Sequence, residues 1–260
     1  MRRHPSQKPI HSARSGLVGV LLMGLAACAS PAPPPVATGP ALPPPIPGNG
    51  LFGAQEQRIG DTAPFGRWRE VRQRAQEEAA LRSTSPCMPW ESQLCGYQAY
   101  QKLLVELQNV PALERAHRIN RFFNSVPYGT DRAVWGRVDY WATPGELLSA
   151  RGDCEDYAVA KYMALRALGF AAEELRLVGV WDTRRRTQHA LTAVRIGDQV
   201  WLLDNQSIDL VNARNNTRYR LIYSISERYW VRHDTVDQEI RDAERGGREV
   251  DFSFAEILDL

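Results

Sequence analysis

One cysteine stands where a helix is predicted to begin, a position that suits a reactive thiol. Gly152 and Asp153 precede Cys154, and apolar residues then recur at three- and four-residue intervals until Gly169, which predicts a helix from Asp153 onward. The N–H groups and the dipole at a helix start favour the thiolate, which is the reactive form of cysteine. The alternative is a small buried cysteine beside ordinary capping acids, so a reactive role requires a base.

The base follows by elimination among the five histidines. His4 and His11 belong to an N-terminal leader. His117 falls on the polar side of a predicted helix, and His233 follows the last predicted strand in a charged stretch. His189, at the start of a predicted strand, is therefore the candidate general base.

An acidic partner for His189 follows from strand register. The dipeptide Gly197-Asp198 is typical of a two-residue hairpin turn. In that register Asp204 falls on the same face as His189, as a diagonal neighbour with backbones roughly 7–8 Å apart. An aspartate in this position can orient the imidazole and hold its tautomer. A surface histidine and a strand-ending aspartate are the alternative, and a three-residue turn would place Asp204 on the other face.

The N-terminus predicts export. Four basic residues precede an apolar stretch over residues 16–27 that is too short to span a bilayer, so residues 1–27 are predicted to be a signal peptide. The sequence Leu25-Ala26-Ala27-Cys28 resembles the lipobox of bacterial lipoproteins, in which the cysteine is acylated. Ala27 and Ala29 also form an A-x-A site for ordinary signal peptidase. Because Ala29 replaces the aspartate of retained lipoproteins, the lipobox predicts a periplasmic protein anchored to the outer membrane.

The next segment predicts a spacer. Residues 31–47 hold nine prolines among small residues, a composition that stays extended and builds no core. We therefore predict a linker over residues 28–60 and a single domain over residues 61–260, whose length of about 200 residues allows a sizeable core. The formal net charge of +2 includes leader arginines, so no nucleic-acid partner is expected.

The periodicity of apolar residues changes within the predicted domain. Helices are predicted over residues 67–81, 96–107 and 112–126, with a short helix capped by Thr143 and ending near Ala150. Strands are predicted over residues 175–181, 190–196, 200–203 and 219–224. Helices followed by a mainly antiparallel sheet define an α+β class. The three arginines at 184–186 are predicted to form a solvated turn, and the aromatic-rich segment 135–144 is either core or the wall of a groove.

The positions of the other cysteines leave Cys154 without an expected disulfide partner. Cys87 and Cys95 flank a short loop and could form a disulfide in an oxidising periplasm, which leaves Cys154 as the odd thiol. The chain contains neither C-x-x-C nor H-E-x-x-H, so a zinc site is not predicted.

Several motifs together resemble the bacterial transglutaminase-like cysteine proteinases, which include the LapG-type periplasmic proteases. The motifs are GDCEDYA at 152–158, WG at 135–136, DYWATP at 139–144, HA at 189–190 and LLDN at 202–205. The similarity runs from about residue 65 to residue 230. It implies a papain-like or transglutaminase-like core with Cys154 as nucleophile, His189 as base and Asp204 as the residue that orients the base.

The resemblance also implies a calcium site formed by the acids beside the nucleophile, Asp153 and Glu155, with Asp156 as a further candidate. Carboxylates are preferred calcium ligands, and a bound cation offsets the increase that neighbouring anions cause in the pKa of a thiol. A helix cap with acidic first-turn residues explains the same acids without a metal.

The resemblance further implies a substrate and a partner. LapG-type proteases cleave the N-terminal region of a large surface adhesin to control biofilm attachment, and an inner-membrane receptor that senses cyclic di-GMP sequesters them. The lipobox and the proline-rich spacer are features that the soluble members of the group lack. This difference argues against carrying over the receptor partnership. Two alternatives remain: a transglutaminase-type acyl transferase, which shares the thioester step, and a peptide-binding lipoprotein without catalysis, against which the three candidate catalytic residues argue.

Overall fold

The structure, a computed structural model, describes residues 50–53, 56, 58–82 and 92–233. Contacts divide the chain into residues 1–41 and residues 42–260, and every described residue lies in the second unit. Within this part, none of the helices combines the length and the hydropathy needed to cross a membrane. The predicted signal peptide, Cys28 and the proline-rich segment lie outside the described residues.

The described residues contain six α-helices before the main strands of the sheet. They are α1 (Gly66–Arg82), α2 (Ser92–Glu106), α3 (Ala112–Asn124), α4 (Asp131–Trp135), α5 (Pro144–Ser149) and α6 (Cys154–Ala167). The three long helices predicted before residue 130 are confirmed as α1, α2 and α3, with ends that differ by at most four residues. The five-residue α4 was not predicted because it is too short to show a helical period.

The short helix α5 is fixed by the side chains predicted to cap it. Thr143 Oγ1 accepts a hydrogen bond from the N–H of Glu146 at 3.2 Å. Glu146 Oε2 in turn accepts one from the N–H of Thr143 at 2.8 Å. This reciprocal pair satisfies two N–H groups at the start of the helix, and α5 ends one residue before Ala150.

In the described part of the chain, seven antiparallel strands form one sheet. They are β1 (Arg58–Ile59), β2 (Leu175–Asp182), β3 (Thr187–Ile196), β4 (Gln199–Leu203), β5 (Val211–Asn212), β6 (Tyr219–Ile225) and β7 (Trp230–Arg232). Their order across the sheet is β1-β7-β6-β2-β3-β4-β5. The four predicted strands correspond to β2, β3, β4 and β6, and the predicted α+β class is confirmed. The other three strands contain two or three residues, too few to show an alternating pattern.

The β3–β4 hairpin has the predicted two-residue turn. Ile196 pairs with Gln199, and Thr192 pairs with Leu203. Gly197 lies in the left-handed region with φ +60°, a conformation that glycine adopts without steric cost. The predicted register is confirmed, and it brings the end of β4 next to the start of β3.

The helix that carries Cys154 is buried against the sheet. Tyr162 and Leu165 on α6 are fully buried, and the Tyr162 ring meets Trp68 of α1 edge-on, with centroids 4.9 Å apart. Thr192 Oγ1 on β3 donates a hydrogen bond to the carbonyl of Ala158 at 2.6 Å. Packing from both sides therefore fixes the position of the first turn of α6.

Residues near the end of the predicted linker over 28–60 contact the sheet. Leu51 is buried in a cluster with Val178 of β2, and Arg58 of β1 pairs with Val231 of β7. The boundary between the linker and the domain stays a prediction.

Candidate active site

Cys154 is the first residue of α6 and is nearly buried, with 6% of its surface exposed. Asp153 occupies the N-cap position, as the sequence predicted. The Cys154 thiol donates a hydrogen bond to Glu155 Oε2, with Sγ 3.2 Å from the oxygen. Cys154 is a free cysteine. Cys95 is disulfide-bonded, while Cys87, its expected partner, lies outside the described residues.

His189 and Asp204 form a buried hydrogen-bonded pair. Nε2 of His189 lies 2.8 Å from Oδ1 of Asp204, and each residue is only 2% exposed. Asp204 also accepts hydrogen bonds from the Tyr219 hydroxyl and from the N–H of Gln206. Burial alone would raise the pKa of Asp204, but His189, followed by the other two donors, holds that pKa well below its usual range. The carboxylate is therefore ionised at neutral pH and can orient the imidazole.

Gln206 contacts the other nitrogen of the imidazole. Its Nε2 lies 3.3 Å from Nδ1 of His189, while its Oε1 accepts a hydrogen bond from the Arg218 guanidinium. Because a guanidinium only donates, the Gln206 oxygen must face Arg218 and its NH₂ group must face His189. We therefore assign the histidine proton to Nε2, where it bonds to Asp204, and the lone pair to Nδ1.

Arg218 is held by a buried acid. Its Nε lies 3.0 Å from Oδ1 and 3.1 Å from Oδ2 of Asp182, and Asp182 has no exposed surface. The guanidinium also lies over the Tyr219 ring, 4.9 Å from the centroid. Asp182, Arg218 and Gln206 thus form a chain of hydrogen bonds that ends at His189.

Helix α3 fixes the loop that follows Asp204. Asn124 Nδ2 donates to the carbonyls of Asp204 at 2.9 Å and Ser207 at 2.8 Å. Asn120 Nδ2 donates to the carbonyls of Ser207 at 3.0 Å and Ile208 at 3.1 Å. The loop carrying the acid is therefore anchored to a helix far from it in sequence.

Cys154 and His189 line the same cavity, which has a volume of about 530 Å³. The lining residues are Asn124, Val126, Tyr128, Cys154, Tyr157, Arg185, Thr187, Gln188, His189, Asn205 and Gln206. Asp204 lies behind His189. The aromatic wall consists of Tyr128 and Tyr157, and the segment 135–144 contributes no lining residue. Trp141 from that segment is buried in the core, which is the first of the two roles predicted for the segment.

Three buried carboxylates lie together next to the thiol. Asp131, Asp153 and Glu155 each offer one oxygen, and these oxygens lie within 4.8 Å of one another. Burial, with the negative charges of Cys154 and then Asp153, raises the pKa of Glu155 well above its usual value. Glu155 Oε1 has no hydrogen-bond partner in the structure. The cluster therefore suits a hard cation with oxygen ligands.

Asp156, also predicted as a metal ligand, is not in this cluster. Its Oδ1 accepts a hydrogen bond from the N–H of Ala142 at 2.6 Å, and its Oδ2 accepts one from the N–H of Asp153 at 3.1 Å. Both oxygens thus bind backbone groups around the start of α6. The structure gives Asp156 a structural role and places Asp131 in the cluster instead.

Lys161 lies about two helical turns beyond Cys154 on α6 and is fully buried. Its Nζ has no hydrogen-bond partner in the structure and lies 5.8 Å from the centroid of the Tyr157 ring. Burial lowers the pKa of Lys161 to about 7, and the negative charge of Asp204 acts against that shift. A buried lysine that loses its proton near neutral pH thus lies within reach of the Asp204 charge.

Sequence reasoning missed several polar residues of the site, among them Asp131, Gln206, Arg218 and Tyr219. Asp131 follows the turn cluster 127–131 and gives no local sign of facing Asp153. Of these residues, Gln206 could have been found from the sequence, because the predicted hairpin register places it opposite His189.

The fold and a thiol that lines the same cavity as a histidine paired with a carboxylate are those of a cysteine protease with a transglutaminase-like core. A model of the family described as bacterial transglutaminase-like cysteine proteinase BTLCP matches residues 84–239, more than half of the chain. The chain belongs to this family, as its motifs predicted.

Solved structures of Legionella pneumophila LapG share this fold. The EGTA-treated form is 23% identical with a TM-score of 0.51, and the match covers 65% of this chain and 86% of LapG. A second LapG structure is 23% identical with a TM-score of 0.50, covering 68% and 92%. A calcium-bound LapG is 22% identical with a TM-score of 0.49, covering 70% and 99%. Comparison with curated protein sequences gives no significant match.

Proposed function

We propose that this protein is a periplasmic cysteine endopeptidase with Cys154 as nucleophile, His189 as general base and Asp204 as the residue that orients the base. The observation that carries the proposal is the 2.8 Å contact of Asp204 with His189, whose ring lines the same cavity as Cys154. A nucleophile, a base and an orienting acid are the set that acyl transfer requires.

The mechanism follows from the assigned tautomer. Nδ1 of His189 takes the proton from Cys154, and Sγ attacks the peptide carbonyl, forming a C–S bond. The N–H groups at the start of α6 stabilise the oxyanion; one such donor typically contributes ~3–4 kcal/mol. The imidazolium then protonates the leaving amine as the C–N bond breaks. Water, activated by the same nitrogen, hydrolyses the thioester and regenerates the thiol.

Calcium fits the carboxylate cluster of Asp131, Asp153 and Glu155. Oxygen atoms from buried acids are the ligands that this cation prefers, and Glu155 Oε1 is without a hydrogen-bond partner in the structure. When bound, the cation supplies positive charge beside the thiol, which favours the thiolate. The residues of this chain supply the acyl chemistry itself.

Family membership supports a protein substrate, and we propose the N-terminal region of a large surface adhesin, whose cleavage controls biofilm attachment. The leader and the lipobox at Cys28 support a periplasmic location with a lipid anchor in the outer membrane. Such an anchor would place the protease beside a substrate retained in that membrane. An inner-membrane receptor that senses cyclic di-GMP is the proposed partner that sequesters it.

The proposal is tested by incubating the protein with a periplasmic extract that contains the candidate adhesin. Cys154→Ser and His189→Ala should abolish cleavage, and Asp204→Ala should reduce it at least ~100-fold. His117→Ala is the matched control, because His117 lies on α3 away from the cavity and should cleave like the unmodified protein. Unchanged cleavage by Cys154→Ser and Asp204→Ala would disprove the assignment. Free carboxylates at the product termini would indicate hydrolysis, whereas isopeptides would indicate acyl transfer.

A further inference from the structure

The turn between β2 and β3 carries three consecutive arginines, which the sequence predicted to be solvated, and all three are exposed. Arg185 also lines the cavity that contains Cys154 and His189, whereas Arg184 and Arg186 do not. One arginine of the turn therefore faces the place where a substrate must lie.

The backbone of this turn is held in place by Asp182. Asp182 Oδ1 accepts hydrogen bonds from the N–H of Arg184 at 3.0 Å and of Arg185 at 3.3 Å. The N–H of Arg186 donates to the carbonyl of Asp182 at 2.7 Å. Asp182 is also paired with Arg218, so the turn that presents Arg185 rests on the same buried acid as the Gln206 contact.

The described residues that line the cavity carry a positive charge and no negative charge. Among its described lining residues Arg185 is the one with a fixed charge, and no carboxylate is present. Within the described part of the chain Arg185 makes no ion pair, in contrast to Arg218. A cavity of this volume is about 10 Å across, which is within the Debye length at ~0.1 M salt. A carboxylate that enters the cavity therefore meets a positive charge on the wall itself, while the nearest acids, Asp204 and Glu155, lie behind His189 and Cys154.

We propose that Arg185 is a specificity-determining residue that selects peptide segments with an aspartate or glutamate beside the scissile bond. A guanidinium binds a carboxylate through paired N–H donors, and the neutral wall around it offers no competing acid. The inference rests on the proposed function for the identity of the substrate as a peptide. The positive charge at Arg185 can be tested independently of proteolysis.

The first experiment measures that charge through Cys154. Alkylation rates with iodoacetate, an anion, and iodoacetamide, its neutral analogue, are compared at ~0.1 M salt by mass spectrometry of the peptide that contains Cys154. Arg185→Ala should lower the iodoacetate-to-iodoacetamide rate ratio about threefold, and Arg185→Glu should lower it further. Arg184→Ala removes the same charge from the same turn, outside the cavity wall, and should leave the ratio unchanged. An unchanged ratio in Arg185→Ala, or an equal decrease in Arg184→Ala, would overturn the inference.

The second experiment measures peptide selection. A chymotryptic peptide library from a bacterial lysate is incubated with each variant, and new termini are identified by mass spectrometry. Cleavage by the unmodified protein should be enriched about fivefold for Asp or Glu within four residues of the scissile bond. Arg185→Ala should lose this enrichment, Arg185→Glu should shift it to Lys or Arg, and Arg184→Ala should retain it.

The two experiments distinguish the role of Arg185 from the protease assignment. Equal enrichment in Arg185→Ala and in the unmodified protein would refute the role of Arg185 while leaving the protease assignment intact. Cleavage by Cys154→Ser at the unmodified rate would refute the proposed function, and the alkylation ratio would still decide whether Arg185 sets the charge of the cavity. If the unmodified protein cleaves no peptide of the library, the proposed peptidase activity is refuted for these peptides, and the alkylation ratio alone decides the role of Arg185.

Discussion

The His189 ring is held at both nitrogens, by Asp204 at Nε2 and by Gln206 at Nδ1. An acid that orients the histidine, as Asp204 does, is a usual part of such catalytic sites. The contact with Gln206 depends on the Arg218 guanidinium, which orients the amide. Because the Gln206 amide occupies the Nδ1 lone pair, this hydrogen bond holds the tautomer in the resting enzyme and breaks when Nδ1 accepts the thiol proton. The amide of Gln206 is therefore a positioning group that acts through His189.

Replacing Gln206 should reduce activity through this contact. We expect Gln206→Ala to lower kcat/KM about tenfold, the usual size of such outer-shell effects. Gln206→Glu should be more damaging, because a carboxylate facing Nδ1 favours the proton on the wrong nitrogen. The matched control is Asn205→Ala, which removes a neighbouring amide that also lines the cavity. If Gln206→Glu cleaves as well as Gln206→Ala, the tautomer assignment is incorrect.

Lys161 gives a prediction about the pH dependence of stability. Burial lowers its pKa to about 7 from an ordinary value of 10.5, so between these pH values the unfolded chain binds a proton that the folded chain does not. The contribution of Lys161 to the free energy of unfolding therefore increases as pH rises through this window. At pH values below about 7 the folded state bears the cost of a buried charge.

Lys161→Met should remove this dependence, because methionine fills similar space without a charge. Relative to this variant, the unmodified protein should gain on the order of 3 kcal/mol in unfolding free energy from about pH 7 to about pH 9.5. Urea unfolding followed by tryptophan fluorescence measures the difference. Lys102→Met, at an exposed position of α2, should show no such pH-dependent difference. Parallel pH curves for the unmodified protein and Lys161→Met would contradict the prediction.

At the scale of elements, the entry to α6 is tightly packed. A methyl group added at Gly152 would lie against Asp156 Oδ2 and 2.7 Å from Leu147 Cδ1. The carbonyl of Gly152 accepts a hydrogen bond from the N–H of Gly129 at 2.9 Å. Glycine is thus required before the cysteine because the backbone approaches the acid that holds the first turn.

Gly152→Ala should destabilise the protein by about 1–3 kcal/mol, the usual cost of overpacking, and should reduce cleavage by displacing the first turn of α6. Thermal unfolding and activity on the same preparation measure both effects. Gly66→Ala, at the start of α1, is the control, because a Cβ there meets no atom within 4 Å. Equal stability of the two variants would show that the site can relax around the added methyl group.

At the scale of the whole molecule, the carboxylate cluster joins two distant segments. Asp131 begins α4, whereas Asp153 and Glu155 flank the nucleophile. A cation bound by all three would therefore stabilise the folded state, by about 2.7 kcal/mol at a concentration ~100 times its Kd.

Calcium should raise the Tm of the unmodified protein, and EGTA should reverse the increase. Asp131→Asn should reduce or abolish this response by removing one negative ligand. Asp209→Asn, which changes an exposed acid outside the cluster, should respond like the unmodified protein. A Tm that is insensitive to calcium in every variant would rule out the proposed site.

The proposed anchor gives a prediction about the location of the whole chain. Cys28→Ser removes the acceptor of the lipid but retains Ala27 and Ala29 of the alternative cleavage site. We expect the variant to move from the membrane fraction to the soluble periplasmic fraction and to lose labelling by radioactive palmitate. Unmodified chain that is soluble and unlabelled would instead indicate ordinary signal-peptide cleavage.

The sequence alone determined the features that neighbouring residues produce. Apolar periodicity and a capping acid predict the helix that begins with Cys154, and a two-residue turn sets the register that relates His189 to Asp204, because both depend on short-range backbone geometry. The tertiary structure decided which distant groups meet: Asp131 rather than Asp156 in the cluster, Arg218 behind Gln206, and Arg185 in the cavity wall. These contacts depend on how loops and strand ends converge after packing, and the periodicity of a sequence carries no information about that.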